Sequence, residues 1–265
     1  MNSSTFRFEM RALLLAAGIG SRLRPVTDTL PKCLVPIHGR PLLDYWLELL
    51  FQSGAIERAL INTHYLHEMV EAHVAASPWR ERIDLVYEPA LLGTGGTLKA
   101  NRATYDNEDL LLVHADNLTD FDVAGFLAAH QGRPADAALT MLAFRTDSPS
   151  TCGILELDAQ NLVRAFHEKV ENPPGNLANA AVYIVTPEVV AAAAAIPRAF
   201  VDLSTEVIPR FLGRILAVET QGYHRDIGNV ESLRRAHLEF APLDDRQTVR
   251  PSPARSQVSP DTHGS

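Results

Sequence analysis

Apolar residues in the first half of the chain follow two alternating patterns. Short unbroken apolar runs are typical of buried strands, whereas an apolar residue at every third or fourth position is typical of a helix. These patterns predict strands over residues 12–16, 59–61, 83–87, 110–113 and 137–144, and helices over 41–54, 66–76 and 123–130. Strands that alternate with helices form parallel βαβ units, with helices covering both faces of the sheet. We therefore predict an α/β fold with a mostly parallel central sheet.

The second half of the chain has more predicted strands and fewer helices between them. Strands are expected over 154–157, 162–166, 180–185 and 215–218, and helices over 205–212 and 230–240. Because no internal repeat is evident and the closing helix ends near residue 241, we expect a single domain over residues 1–241.

Residues 242–265 have a different composition. They include four Pro, four Ser and no aromatic residue, and their larger apolar side chains are Leu243, Val249 and Val258. Such a segment buries too little apolar surface to offset the entropy cost of ordering it. We expect a disordered C-terminal tail.

The overall charge limits the classes of partner. The net charge is −8, from 24 Lys and Arg against 32 Asp and Glu, which argues against a nucleic-acid partner. The apolar runs are too short to span a bilayer, and the first ten residues lack the apolar core of a signal peptide. The two cysteines, Cys33 and Cys152, are too few for a disulfide framework. We expect a cytoplasmic protein with no membrane partner.

A glycine-rich loop follows the first predicted strand. It reads Gly18-Ile19-Gly20-Ser21-Arg22, and Pro31-Lys32 follow shortly after. Glycines at a strand end let the backbone approach a phosphate or a base closely, and the Arg and Lys side chains add cationic donors. The loop lacks the third glycine of a dinucleotide fingerprint and the Gly-Lys-Ser/Thr ending of a Walker A loop. A surface turn is the alternative interpretation.

Two aspartates lie at predicted strand ends. Asp116 follows the apolar run over 110–113, and Asp226 precedes another exit to a loop. Two converging carboxylates suit Mg²⁺, which takes the rest of its ligands from water and substrate phosphates. Asp116 could instead cap the next helix. His114 and His224 each lie two residues before an aspartate, and we favour buried histidines over ligands of a softer metal.

A third group of polar residues lies in the second half. Glu168-Lys169 end one predicted strand, and Asn179 begins the next. A carboxylate can accept hydrogen bonds from hydroxyls while the ammonium pairs with a phosphate. An exposed ion pair is the alternative. Of the 24 cationic residues only Lys32, Lys99 and Lys169 are lysines, so each lysine is a candidate phosphate ligand.

Taken together, these motifs resemble those of the sugar-1-phosphate nucleotidyltransferases. That family has the signature Gly-x-Gly-Ser/Thr-Arg-Leu, followed by Pro-Lys, an aspartate after a strand, a Glu-Lys pair and Asp-x-Gly. The resemblance covers roughly residues 10–240 and matches these motifs in the same order, from Gly18 to Gly228. It implies a Rossmann-like, glycosyltransferase-A-like three-layer sandwich. It also implies transfer of a nucleotidyl group from a nucleoside triphosphate to a sugar 1-phosphate, with release of pyrophosphate.

The resemblance also assigns roles to individual residues. The catalytic group would be Arg22, Lys32 and Lys169, and Mg²⁺ would be held by Asp116 and Asp226. The residues assigned to the nucleotide are Leu15, Ala17, Gly18, Gly20, Ser21, Gly93 and Thr94. Those assigned to the sugar phosphate are Glu168, Lys169 and Asn179.

One segment narrows the subfamily. Gly93-Thr94-Gly95-Gly96 resembles the loop of the mannose- and heptose-1-phosphate guanylyltransferases, and it lacks the Gln usual in thymidylyl and uridylyl members. This implies GTP and a mannose or heptose 1-phosphate in NDP-sugar biosynthesis. Transfer from UTP or CTP to another sugar 1-phosphate, and a catalytically silent regulatory homologue, remain alternatives. The sequence leaves a homo-oligomer open.

Overall fold

The computed structural model describes residues 10–105 and 107–241. Its strands are β1 Met10–Leu15, β2 Pro36–Ile37, β3 Arg40–Pro41, β4 Ile56–Thr63, β5 Ile83–Tyr87, β6 Leu110–His114, β7 Asn117–Thr119, β8 Leu139–Arg145, β9 Gly153–Leu157, β10 Val163–Glu168, β11 Leu177–Val185, β12 Ile215–Glu219 and β13 His224–Asp226. Its helices are α1 Leu42–Gln52, α2 His67–Ala76, α3 Thr94–Ala100, α4 Val123–Gln131, α5 Pro187–Ala194 and α6 Val230–Glu239.

The central sheet is mostly parallel, as predicted. Its main strands lie in the order β12-β8-β11-β6-β1-β4-β5, and β9 and β10 extend it beside β11. Strands β6, β1, β4 and β5 are mutually parallel, and β12 is parallel to β8. Strand β11 runs antiparallel to both β6 and β8, so it is the exception among these seven. The carboxyl ends of the other six therefore meet at one edge of the sheet.

Helices cover both faces of this sheet. On β1, Ala12 and Leu14 pack with residues of α1, α2 and α4, whereas Leu13 and Leu15 pack with residues of α3 and α5. Successive strand residues point to opposite faces, so an unbroken apolar strand requires apolar partners on both sides. The three-layer α/β architecture is therefore confirmed.

A smaller apolar cluster holds residues 227–240 against the loops at the carboxyl edge of the sheet. It joins Leu23 and Ile37 to Leu118 of β7, Ile227 and Phe240. Since β13 pairs antiparallel with β7, this cluster fixes β13 beside the segment that leaves β6. It thereby brings two distant parts of the sequence to the carboxyl edge of the sheet.

The sequence pattern did not predict helices α3 and α5, and it predicted one continuous helix where the structure has two short turns. Helix α3 contains Gly95 and Gly96, which disfavour a helix, and α5 consists largely of alanine without an apolar stripe. The helix predicted over 205–212 is divided into a π-helical turn, Leu203–Val207, and a 3₁₀ turn, Ile208–Phe211. Pro209 explains the division, because it has no amide hydrogen for a continuing α-helix.

The structure describes only part of the predicted domain and none of the predicted tail. Residues 1–9 and 242–265 lie outside the described residues, so the single domain over 1–241 and the disordered tail stay predictions. Among the described residues, no helix combines the length and the apolar character needed to cross a membrane.

A buried polar triad at the opposite edge of the sheet gives a prediction about stability. His130 bridges Thr140 Oγ1, at 2.7 Å from Nδ1, and Asp109 Oδ2, at 2.9 Å from Nε2. The hydrogen bond from His130 is the main cause that lowers the pKa of Asp109. We expect Asp109→Asn to reduce the free energy of unfolding by about 1.5 kcal/mol at pH 7, since a hydrogen bond to a charged group is lost.

The pH dependence follows from the direction of that shift. A carboxylate with a lowered pKa stabilises the fold above its unfolded pKa of about 3.9, and this contribution is lost as the pH falls through the folded value. Urea unfolding at pH 7 and pH 3 should therefore show the gap between wild type and variant closing at the lower pH. Equal stability at pH 7 would contradict the prediction.

Candidate active site

The two predicted metal-binding aspartates lie side by side at the carboxyl edge of the sheet. Asp116 follows β6 directly, and Asp226 is the last residue of β13. In the β13–β7 ladder Asp226 pairs with Asn117, and the amide of Ile227 donates to the carbonyl of Asp116 at 3.2 Å. This short two-stranded pairing thus joins residues 110 positions apart in sequence.

Lys32 connects these aspartates. Its Nζ donates to Asp116 Oδ2 at 2.6 Å and lies 3.4 Å from Asp226 Oδ1. Lys32 is only 6% exposed, and burial by itself lowers its pKa, but the two carboxylates outweigh that effect and raise it. Burial likewise raises the pKa of Asp116, and the Lys32 ammonium more than reverses this. Lys32 and Asp116 are therefore both charged at neutral pH.

This arrangement fits a hard divalent cation. Two carboxylates converge on one positive group, the Lys32 ammonium, which shows that their oxygens can face a common cation. The described residues contain no cluster of three or more His, Cys, Asp or Glu side chains suited to a metal ion. A site with only two carboxylates suits Mg²⁺, which draws its other ligands from water and substrate phosphates.

The helix-cap alternative for Asp116 is wrong. Helix α4 is capped by Asp122, whose side chain accepts a hydrogen bond from the amide of Gly125 at 3.0 Å. Asp116 lies six residues earlier and has Lys32 as its partner instead. A half-buried carboxylate at a strand end without a capping role is better explained by function.

The two histidines beside the aspartates are half-buried and neutral. Burial lowers the pKa of His114, and it lowers that of His224 to about 3. His114 Nε2 and His224 Nδ1 have no hydrogen-bond partner within the part of the chain that is described. The His224 ring lies against Phe144, with 4.3 Å between centroids. Neither histidine contributes to a cluster with the aspartates that would suit a softer metal.

A cavity of about 190 Å³ opens beside Asp116. Five of the residues assigned to the nucleotide line it, namely Leu15, Ala17, Gly18, Gly93 and Thr94. Asp116, also predicted for the site, lines it as well. The remaining lining residues were not predicted from the sequence to be there: Asn62, Glu88, Leu91, Thr97, His114 and Phe200. Asn62 and Glu88 could have been found, because each is a polar residue at the carboxyl end of a predicted strand.

Gly20, Ser21 and Arg22 lie outside the residues that line this cavity. Gly20 has a positive φ of 69°, and its carbonyl accepts a hydrogen bond from Thr27 Oγ1 at 2.7 Å, so it shapes the loop. Ser21 and Arg22 are exposed in the following 3₁₀ turn. A Cβ atom on Gly228 would lie 3.1 Å from Arg22 Nη2 and 2.7 Å from Asp226 Oδ2. Arg22 therefore reaches the neighbourhood of the aspartates.

The glycines at 93–96 have a packing role that the sequence analysis did not anticipate. Gly95 and Gly96 donate their amides to the carbonyl of Val201, at 2.9 and 3.1 Å. A Cβ atom on Gly93 would lie 2.5 Å from the same carbonyl oxygen. Thr94 Oγ1 accepts a hydrogen bond from the Leu203 amide at 2.8 Å. This loop therefore faces the cavity on one side and fastens the 199–203 segment on the other.

Lys99, the third lysine, is not at the cavity. Its Nζ donates to the carbonyls of Ile196 and Arg198, at 2.7 and 2.6 Å. Both carbonyls belong to the segment between α5 and Val201, so Lys99 joins α3 to that segment. Its role is structural, and the prediction that each lysine is a candidate phosphate ligand is wrong for Lys99.

The residues assigned to the sugar phosphate lie on neighbouring strands. Glu168 pairs with Gly153 in the β10–β9 ladder, and the next residue of β9 pairs with Ala178, beside Asn179. Lys169 has a side chain that is 65% exposed, with Nζ at 3.2 Å from Glu168 Oε1. Asn179 Nδ2 donates to Tyr183 Oη at 2.6 Å, and its Oδ1 accepts from the Ala181 amide at 2.9 Å. Asn179 is thus held in place and keeps one free N–H.

Comparison with known proteins gives a consistent result. The sequence model of the nucleotidyl transferase family matches residues 11–241. The chain is 30% identical to a putative mannose-1-phosphate guanyltransferase of Sulfolobus acidocaldarius, over 88% of this chain and 63% of that protein. It is also 30% identical to the mannose-1-phosphate guanylyltransferase of Mycobacterium tuberculosis, over 93% and 67%. The chain thus spans about two thirds of the length of these curated relatives.

Solved structures show the same fold. HddC from Yersinia pseudotuberculosis, in complex with GMP-PN, has a TM-score of 0.73 at 24% identity, covering 88% of this chain and all of that one. A putative glucose-1-phosphate thymidylyltransferase from Bacillus anthracis has a TM-score of 0.76 at 20% identity, covering 86% and 94%. The family resemblance inferred from the motifs is confirmed, and this chain belongs to the nucleotidyl transferase family.

Proposed function

We propose that this protein transfers a guanylyl group from GTP to a mannose-type or heptose-type sugar 1-phosphate. A phosphate oxygen of the sugar 1-phosphate forms a bond to the α-phosphorus, the bond from that phosphorus to the β-phosphate oxygen breaks, and pyrophosphate leaves. The observation that carries the proposal is the Lys32 bridge between Asp116 and Asp226 beside the cavity. The names of the curated relatives support guanylyl transfer to mannose 1-phosphate.

The charged residues would act mainly by positioning and by neutralising phosphate charge. In phosphoryl and nucleotidyl transfer these two effects account for most of the catalysis, since little covalent work falls to the protein. Asp116 and Asp226 would hold Mg²⁺, which when bound neutralises charge on the reacting phosphates. Lys32 and Arg22 would stabilise the triphosphate and the departing pyrophosphate. The backbone of Ala17 and Gly18 leaves room for the nucleotide.

The second substrate would bind on the β10–β11 side. The ammonium of Lys169 can pair with the phosphate of the sugar 1-phosphate, because the side chain is 65% exposed and Glu168 is the ion-pair partner found for it among the described residues. Glu168 can accept hydrogen bonds from sugar hydroxyls, and the free N–H of Asn179 can donate one. The two substrates would then approach each other from opposite sides of Asp116.

A screen of pyrophosphate release tests this proposal. The four nucleoside triphosphates are each combined with mannose, glucose, N-acetylglucosamine and heptose 1-phosphates, in the presence of Mg²⁺ or EDTA. We expect the fastest release from GTP with mannose or heptose 1-phosphate, and none in EDTA. A preference for UTP or CTP would support the second substrate pair. No release from any pair, with retained nucleotide binding, would support a silent regulatory homologue.

A further inference from the structure

Three polar side chains form a buried cluster in the wall of the cavity. Asn62 near the end of β4 and Glu88 just after β5 are each 3% exposed, and Thr97 of α3 is 1% exposed. The family motifs described above include none of them. Buried polar groups are costly unless they are hydrogen-bonded, so such a cluster stabilises one arrangement of the elements that contribute to it.

Glu88 is at the centre of the cluster. Its Oε1 accepts hydrogen bonds from Asn62 Nδ2 at 3.0 Å and from Thr97 Oγ1 at 2.5 Å. Its Oε2 accepts one from the Leu92 amide at 3.2 Å. Three of the roughly four acceptor positions of the carboxylate are therefore used within the protein. Within the described residues no Lys, Arg or His forms an ion pair with Glu88, so these donors are what stabilise it.

The cluster connects to both loops that line the cavity. Asn62 Oδ1 accepts a hydrogen bond from the Ala16 amide at 2.8 Å, directly before Ala17 and Gly18. On the other side, Leu92 directly precedes Gly93. Glu88 is therefore linked to both loops. It is linked through Asn62 to the loop that follows β1, and directly, by the Leu92 amide, to the loop that leads into α3.

We propose that Glu88 is a positioning residue for the nucleotide, acting through the hydrogen bonds that set the spacing between these two loops. The inference rests on the proposed function only in taking the cavity as the nucleotide site. A carboxylate is required because all three partners are donors. In Glu88→Gln one oxygen becomes an NH₂ group, which must face either Leu92 or the pair of Asn62 and Thr97. In either orientation the NH₂ group meets another hydrogen-bond donor, so one of the two loops loses its hydrogen bond to residue 88.

The same reasoning predicts a selective effect on substrates. Glu168, Lys169 and Asn179 lie on β10, its exit and β11, and none of them hydrogen-bonds to the cluster. Loosening the two loops should weaken nucleotide binding and leave sugar-phosphate binding nearly unchanged. A general loss of stability would not separate the two substrates in this way.

The test uses Glu88→Gln with Asp109→Asn as a matched control, since Asp109 is an acid hydrogen-bonded to a buried side chain at the opposite edge of the sheet. We expect Glu88→Gln to raise the KM for GTP by about tenfold, and to raise by the same factor the Kd for GTP measured by calorimetry in the presence of Mg²⁺. About tenfold corresponds to the loss of one charge-assisted hydrogen bond. In Glu88→Gln the KM for mannose 1-phosphate should change by less than about twofold. In the control Asp109→Asn the KM values for both substrates should change by less than about twofold. Unchanged nucleotide affinity, or equal rises in both KM values, would overturn the proposal.

Two variants of Thr97 keep the test decisive if Glu88→Gln does not fold. Thr97→Val removes the donor to Glu88, together with the contacts of the same hydroxyl to Asn62 Nδ2 at 3.2 Å and to the Gly93 carbonyl at 3.1 Å, and should weaken nucleotide binding. Thr97→Ser retains the hydroxyl and should bind as wild type does. Calorimetry with each of the four triphosphates on wild type shows first which one binds. If that is not GTP, the guanylyl assignment fails, and the Glu88 test proceeds with the triphosphate that binds. If no triphosphate binds, the Glu88 proposal is overturned as well.

Discussion

Asp116→Asn is expected to lower kcat by about 10²-fold or more while the protein stays folded. The carboxylate oxygen of Asp116 is the closer of the two that face Lys32, at 2.6 Å. Asparagine has nearly the same size, so the packing around residue 116 is retained, but its neutral amide is a much weaker ligand for a hard cation. Removing one charge contact that stabilises a transition state typically costs 10²–10³ in rate.

Pyrophosphate release by the purified variant, over a range of Mg²⁺ concentrations, checks this expectation. Thermal unfolding should show that the variant is folded, and Asp109→Asn serves as the control for removing an acid elsewhere. A partial recovery at high Mg²⁺ would agree with weakened cation binding. Near-normal turnover in a folded Asp116→Asn protein would contradict the metal-binding role of Asp116.

The central strands could be predicted because their signal is local. Strands β1 and β6 follow unbroken apolar runs over residues 12–15 and 110–113, β5 is largely apolar, and the predicted bounds of all three differ from those observed by at most two residues. The positions of Asp116 and of the glycine loop at strand ends follow from the same runs. Their place at one edge then follows from the parallel pairing of β1 and β6.

Such local patterns do not predict contacts between residues that are distant in sequence. Helix α3 forms in spite of its glycines because Gly95 and Gly96 donate to Val201, more than a hundred residues away. The same separation hides the role of Lys99, which donates to two carbonyls of the segment after α5. The contact between Lys32 and Asp226 could not be inferred from spacing either, and the family resemblance suggested only that both residues serve the same site.

The cluster around Glu88 shows why buried polar residues are difficult to recognise. Asn62, Glu88 and Thr97 come from three elements, and each on its own has the appearance of an ordinary polar residue at the end of a strand or within a helix. Their shared burial becomes visible only when the two loops are folded over them. Sequence patterns identify the groups that face substrate more readily than the groups that hold those in place.

The two remaining candidate phosphate lysines should respond differently to the same substitution. Lys32 is buried and bridges two carboxylates, whereas Lys169 is 65% exposed and lies near Glu168 alone. We expect Lys32→Met to lower kcat by about 10²-fold, because the charge of the leaving pyrophosphate develops in the transition state. We expect Lys169→Met to raise the KM for the sugar phosphate by about tenfold with a smaller effect on kcat.

Steady-state kinetics with each substrate varied in turn separates these outcomes. Lys32→Met also leaves Asp116 and Asp226 without their shared ammonium, so its thermal stability should fall and should recover in part when Mg²⁺ is added, since binding to the folded state stabilises it. Lys169→Met should unfold at the wild-type temperature, because an exposed ion pair contributes little. If both variants raise only the nucleotide KM, the assignment of Glu168 and Lys169 to the sugar phosphate is wrong. If both change the kinetics by less than about twofold, neither lysine acts on a phosphate, and the charge neutralisation must come from Arg22 and the bound cation instead.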